Sequence, residues 1–309
     1  MKRTIKKIIY SLFTMFMAMT LIFFVIRLSP GDPVETILGQ RASLEELNKV
    51  REQLGLHLTL KDQYIHFLSS VMKGDLGKSL FGNKDVWALL KERSIPTITL
   101  AFLSVSIASI LGMFLGVLAG FNKSLAFDNF SRLFALLALS FPIFSLAPIL
   151  VYFFSIKFSL FPVSEWGSLS HLFLPVLTLV IPLSAVIMRV TRNKYLEEVH
   201  AQWVLVIKSK GLSDAQILIR ILKICLPTVM TIVAIQLSVV IAGTMITETI
   251  FDIPGMGALL FEAIQNRDYP IVQAVILYST LMYMIIYFSI DLINEKIDPR
   301  IANTENGDR

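Results

Sequence analysis

Residue types that usually carry chemistry are sparse in this chain of 309 residues. Its four histidines, His57, His66, His171 and His200, have no second histidine, cysteine or carboxylate at the spacing of a closed metal site. Each reads as a surface or interface histidine. Cys225 is the single cysteine, which excludes a disulfide scaffold. There is no G-x-S-x-G, no H-E-x-x-H and no pair of aspartates inside an apolar stretch. Gly77-Lys78-Ser79 has the form of the end of a phosphate-binding loop. That loop needs a glycine five residues before its last glycine, and Met72 stands there. The sequence therefore predicts no catalytic residue, no bound cofactor or metal, and no ATPase site of its own.

Other residues point to movement within a bundle of helices. Gly112, Gly116 and Gly120 form a repeated small-x-x-x-small pattern, which lets helix backbones approach closely inside a membrane. Gln236, Ser238 and Thr244 are polar side chains in an apolar stretch, which face a partner helix or line a pathway. Glu248, at the end of that stretch, is expected to be interfacial and solvated. Pro175 and Pro182 fall inside another apolar stretch, where a bundle tolerates the kink.

The elements that hold these residues follow from composition. The chain is 55% hydrophobic and only 17% charged, against roughly 25% charged in an average soluble protein. It is too apolar to be disordered. Its net charge of +5 comes with no long basic run, which argues against a nucleic-acid partner. A bilayer core of about 30 Å needs about 20 apolar residues of helix. Six blocks meet that need: Ile8–Ile26, Thr97–Phe121, Leu133–Ile156, a shorter Leu172–Met188, Pro227–Thr247 and Ile271–Ile290. The expected fold is an all-α integral membrane protein with six transmembrane helices in contact with lipid. Four parts are expected: a tail and first helix over 1–28, an extracytoplasmic segment over 29–96, a five-helix core over 97–292, and a tail over 293–309.

Basic residues set the orientation. Lys2, Arg3, Lys6 and Lys7 precede span one; Lys123 and Arg132 lie between spans two and three; Arg189, Arg192, Lys194, Lys208, Lys210, Arg220 and Lys223 lie between spans four and five. The opposite loops carry only Lys157 and Arg267, which puts both termini in the cytoplasm. The 29–96 segment balances nine basic against nine acidic residues and votes weakly. Span one has no small-x-small cleavage site after it and reads as an uncleaved anchor.

Two connections have internal structure. Ser43 followed by Glu46 has capping-box form, so a helix is expected from Leu44 to about Leu54, ended by Gly55. Leu44, Leu47, Val50 and Leu54 would pack its apolar face on the rest of the domain. The cytoplasmic connection over 192–226 reads as a helix, a break at Gly211, a cap at Ser213 and a second helix parallel to the membrane.

Lys208-Ser-Lys-Gly-Leu-Ser213 with Ile224-Cys-Leu-Pro227 resembles the coupling loop of binding-protein-dependent ABC importer permeases. The whole chain is similar to the first-permease type of their dipeptide, oligopeptide and nickel branch. The likeness is carried in order by Pro30-Gly-Asp-Pro33, Gly74-Asp-Leu-Gly-Lys-Ser-Leu80, Ser140-Phe-Pro142, Glu248-Thr-Ile-Phe-Asp-Ile-Pro-Gly-Met-Gly257, Asn266-Arg-Asp-Tyr-Pro-Ile-Val-Gln273 and Asp298-Pro-Arg300. The resemblance implies that Ile207, Lys208, Ser209, Lys210, Gly211, Leu212 and Ser213 couple the spans to a cytoplasmic ATPase. It also implies a second homologous permease, two ABC ATPase subunits that bind ATP and Mg, and an extracytoplasmic solute-binding protein. The family usually has alanine in the turn before this glycine, whereas Leu205, Val206 and Ile207 stand here. The implied cargo is a peptide, with nickel or a metal chelate as the alternative. Two readings from other classes stay open: an ion-coupled secondary transporter, disfavoured by spans nearly free of charge, and a non-transporting membrane scaffold.

Overall fold

The computed structural model describes residues 2–28, 34, 38, 43–53, 55–121 and 125–297. Pro30–Pro33, Lys123 and Asp298–Arg300 lie outside the described residues. The described chain is helical, with one isolated antiparallel bridge between Lys78 and Asp85. Five helices are long and apolar enough to cross a membrane, and a bent pair makes a sixth candidate. The chain divides into two compact units, residues 1–97 with 254–282, and residues 98–253 with 283–309.

The first unit contains α1 (Lys2–Leu28), α2 (Leu44–Gln53), α3 (Leu60–Met72), the start of α4 (Val86–Phe121), α11 (Met256–Gln265) and the start of α12 (Tyr269–Ile297). Helix α2 starts as expected: Ser43 donates its N–H and hydroxyl to Glu46 Oε2 at 2.9 and 2.8 Å, and Ser43 Oγ accepts the Glu46 N–H at 3.3 Å. Its apolar face is less covered than expected, because Leu44 is exposed. Helix α4 starts eleven residues before Thr97, so Pro96 lies inside it and not at a boundary. The hydroxyl of Thr97 accepts the Met256 N–H at 2.8 Å, which ties the α4 proline turn to the entry of α11. Ile22, Ile26, Val86, Leu89, Met256, Ile271 and Val275 belong to one apolar cluster.

Two family-like segments distant in sequence meet in this unit. Asp268 is buried; it accepts the Ser79 hydroxyl at 2.5 Å and the Leu80 N–H at 3.2 Å. The loop before it is closed by Trp87 Nε1–H on the Gly74 carbonyl at 2.6 Å and by the Val86 N–H on the Gly77 carbonyl at 3.2 Å. Gly77-Lys78-Ser79 is therefore one side of a polar clasp.

The second unit holds the rest of α4, α5 (Leu125–Ser140), α6 (Ile143–Val151) with a π-helical turn (Tyr152–Lys157), α7 (Leu169–Val199), α8 (Gln202–Ser209), α9 (Asp214–Gly243), α10 (Met245–Ile250) and the rest of α12. The expected third span is not one straight helix, because it bends by 99° between α5 and α6. Pro142 has no N–H to continue the ladder and forces Phe141 out of helical geometry. Its carbonyl instead opens α6, accepting from Ser145 and Leu146. Helix α9 also differs from expectation. It runs unbroken from Asp214 through Pro227, so the second cytoplasmic helix and span five are one element. The Thr231 hydroxyl caps the Pro227 carbonyl at 2.9 Å and accepts Asn294 Nδ2–H at 2.9 Å.

Packing in this unit centres on α7, the most enclosed candidate span, with 61% of its apolar window buried. Lipid is as apolar as leucine, so helices here gain from close van der Waals contact and not from exclusion of water. The glycines of α4 supply that contact. A Cβ at Gly112 would stand 2.8 Å from Ile187 Cβ, and one at Gly116 would stand 2.6 Å from the Met188 carbonyl and 2.7 Å from Thr191 Cβ. A Cβ at Gly120 would run into the ring of Tyr195. The contacted residues Ile187, Thr191 and Tyr195 repeat every four residues, matching the glycine row.

Candidate coupling surface

Helix α7 continues past its apolar window to Val199, then turns sharply into α8. The Ala201 N–H donates to the Glu198 carbonyl at 3.1 Å, and the Val204 N–H to the Ala201 carbonyl at 3.0 Å. The Glu198 carboxylate fastens the turn from both sides, accepting Trp203 Nε1–H at 3.1 Å and pairing with Lys194 Nζ at 2.9 Å. An indole N–H half-buried at a turn needs such a partner. Sequence reading missed Glu198, although its i,i+4 spacing from Lys194 was available.

The inner face of α8 joins a small apolar cluster. Val204 is buried with Tyr195, Ile217, Ile221 and Cys225, and Trp203, Ile207 and Leu212 pack against them. After α8 the chain reverses through a Schellman motif: the Leu212 N–H donates to the Ile207 carbonyl and the Gly211 N–H to the Lys208 carbonyl. Gly211 sits at φ +83°, and nothing lies within 4 Å of where its Cβ would be. Its glycine answers a backbone requirement and not a lack of space. Ser213 then caps α9 in a full capping box with Gln216.

The seven predicted coupling residues thus divide by role. Lys208, Ser209, Lys210 and Gly211 are exposed. Ile207 and Leu212 face their own subunit, and Ser213 serves as the cap. Leu205 and Val206 stand out instead, at 68% and 52% exposure on the outer side of α8. An apolar pair flanked by Lys208 and Lys210 leaves this elbow with an uncovered face. The Lys208–Asp214 pair, at 3.9 Å with both side chains exposed, adds little to its stability.

The residues named as pathway candidates sit differently. The buried Ser238 hydroxyl donates to the Ala234 carbonyl at 2.9 Å, and the buried Thr244 hydroxyl donates to Glu248 Oε1 at 2.7 Å. Gln236 is half-buried. Glu248 is 0% exposed, not solvated as expected. Helix α9 ends at Gly243, and a separate short helix, α10, places Glu248 where the Thr244 hydroxyl reaches it. Among the histidines, His57, His66 and His200 are exposed, and His171 shares a 2.6 Å hydrogen bond with Ser168 Oγ.

Residues 112–303 match the family described as binding-protein-dependent transport system inner membrane component, and residues 1–101 match its N-terminal counterpart. The chain belongs to this family. It is 35% identical over 306 residues to a probable peptide ABC transporter permease protein of Sinorhizobium fredii, covering 96% of this chain and 98% of the relative. It is 31% identical over 298 residues to the glutathione transport system permease protein GsiC of Escherichia coli, covering 96% and 97%. Among solved structures it resembles the inward-facing MetNI methionine ABC transporter, with TM-score 0.56, 16% identity, and coverage of 69% of this chain and 97% of that one. A second likeness is to an amino acid ABC transporter crystallised with histidines, with TM-score 0.54, 15% identity, and coverage of 68% and 94%. These likenesses show the fold. The protein is an ABC importer permease, integral to the cytoplasmic membrane. Its family works with ATPase and binding-protein partners, and its permease subunits are not themselves enzymes.

Proposed function

We propose that this chain is one of two homologous permease subunits of a peptide importer, with both termini cytoplasmic and six membrane crossings. Two ATPase subunits bind ATP and Mg and drive it from below, and an extracytoplasmic binding protein delivers the solute. The observation that carries this reading is the elbow formed by α8 and the start of α9. Its inner face is anchored by Val204, Ile207 and Trp203, while Leu205, Val206, Lys208, Ser209 and Lys210 face outward without cover. Because α9 is continuous from the elbow through Pro227, displacement of Asp214 moves the apolar helix as a rigid lever. That continuity suits alternating access by rigid-body motion. The glycine row on α4 holds α7, the lever on the other side of the elbow. Peptide cargo is supported by the relatives' names, a peptide permease and a permease for glutathione. Gln236 keeps partial exposure in α9 and is the pathway candidate retained.

The test is ATP-dependent uptake by the reconstituted complex, comparing labelled dipeptide, longer peptide and nickel. Wild type should accumulate peptide. Gly211→Val should insert and assemble yet lose uptake, because a β-branched residue resists φ +83°. Full uptake by that variant would count against the coupling role, and nickel uptake without peptide uptake would overturn the cargo.

A further inference from the structure

Helices α5 and α7 pack on each other within the second unit and leave a groove of about 400 Å³ between them. Arg132 from α5 and Arg189 and Arg192 from α7 line it, and no carboxylate does among the described residues. Arg189 and Arg192 stand three residues apart, the spacing of neighbours on one helix face. Arg132 and Arg189 are exposed, and Arg192 is half-buried. Leu136 and Leu139, both exposed, and the buried Met188 add an apolar wall. Leu139 lies seven residues beyond Arg132, about 10 Å further along α5. The arginines also stand at a definite depth. Arg132 directly precedes the apolar block that begins at Leu133, and Arg189 directly follows the one that ends at Met188. The groove therefore starts at the edge of the apolar layer and runs into it.

We propose that this groove holds one anionic phospholipid, with its phosphate on Arg132 and Arg189 and an acyl chain along Leu136 and Leu139. A guanidinium meets phosphate oxygens with paired N–H donors. Basic pockets between spans at the membrane edge suit lipid headgroups of this kind. A soluble anion would use the arginines and leave the leucines bare. A zwitterionic lipid would bring its own cation to a groove that already holds three. One anionic lipid satisfies both the charged and the apolar lining. On the proposed orientation, with the elbow in the cytoplasm, it belongs to the inner leaflet, but the site does not depend on that reading. Bound there, the lipid bridges α5 to α7, the helix that leads into the elbow.

The experiment is native mass spectrometry of the assembled permease–ATPase complex, delipidated in mild detergent and titrated with lipid. The probes are phosphatidylglycerol, phosphatidylcholine with the same acyl chains, and inorganic phosphate. Phosphatidylglycerol should be retained at least fivefold more than phosphatidylcholine, and inorganic phosphate should not displace it. Replacing both arginines, Arg132→Gln with Arg189→Gln, should lower its retention at least fivefold. Ala135→Trp keeps every arginine but fills the groove that Ala135 lines, and should also expel the lipid. Arg220→Gln with Lys223→Gln removes the same charge from exposed positions outside the groove and should leave retention unchanged. Basal ATPase activity reports that each complex is intact. Equal retention of the two lipids, wild-type retention by the double arginine variant, or the same loss in the Arg220 and Lys223 control overturns the site. Displacement by inorganic phosphate overturns the lipid as its occupant.

Discussion

Each unit is held together internally by its own means, and the two means are opposite. In the first, a loop and a helix start nearly two hundred positions apart are joined by hydrogen bonds to one buried carboxylate, Asp268. In the second, α4 and α7 are joined by absence, a row of glycines that lets one backbone lie against another. The first device is specified by chemistry: an acceptor at 268 takes both the Ser79 hydroxyl and the Leu80 N–H. The second is specified by volume, since any side chain at 116 meets the Met188 carbonyl. The units should therefore fail differently. The clasp should be rescued by a substitution that keeps an acceptor, and the stripe only by one that keeps the size.

The largest stability effect is expected at the clasp. Asp268→Ala takes the charged acceptor from the Leu80 N–H and leaves the buried Ser79 hydroxyl only the Phe81 carbonyl to donate to. At roughly 1.5–3 kcal/mol per hydrogen bond to a charged group, the loss is about 3 kcal/mol. Asp268→Asn keeps an oxygen and should recover a large part of it. Thermal unfolding of the purified complex reads both, and equal losses for Ala and Asn would break the contrast. The next effect is at the stripe. Gly116→Val must displace the α7 backbone and should cost about 2 kcal/mol, with Gly116→Ala intermediate. A smaller effect is expected at the elbow. Glu198→Ala removes the shared acceptor of Trp203 and Lys194 and should cost about 1 kcal/mol. Its signature is a shift in Trp203 fluorescence together with ATP hydrolysed per solute imported rising. If that ratio stays at the wild-type value, Glu198 does not position α8.

Much of this was legible in sequence, for reasons that differ by region. The α2 capping box and the Gly211–Ser213 turn were readable because each is written in adjacent residues with fixed offsets. The apolar blocks were readable because twenty apolar residues have few other uses. Helix continuity was not. Prolines 96 and 227 look like boundaries, yet both lie inside helices, and each is followed within four residues by a hydroxyl that binds a distant residue, Thr97 to Met256 and Thr231 to Asn294. Pro142, by contrast, does break its span, and composition does not separate the cases. The division of the coupling residues was also hidden. Ile207 and Leu212 look like docking residues in a string of letters, and only the Schellman turn shows that they touch each other's cluster and leave Leu205 and Val206 outside. Glu248 was misread because a carboxylate at the end of an apolar block gives no sign of the Thr244 hydroxyl that partners it in the interior.

The smallest effect tests a polar device at the surface of the first unit, the α2 capping box. The Glu46 carboxylate is held below the ordinary glutamate range, first by the Ser43 backbone N–H, then by its hydroxyl, while slight burial works weakly the other way. A depressed folded value means that the contribution is fully present above the unfolded glutamate value and is lost as pH falls through the folded one. Amide hydrogen exchange across Leu44–Gln53 should therefore show protection that holds in mildly acidic solution and weakens only once pH falls below the ordinary glutamate range, while protection around Asp268 and the α4 glycines is governed by other groups. Glu46→Gln can still accept from Ser43 in a capping box, so it should keep much of the protection and lose its dependence on pH. If the dependence survives in Glu46→Gln, another group controls α2, and the capping box is a bystander in the unit whose polar contacts were taken to organise it.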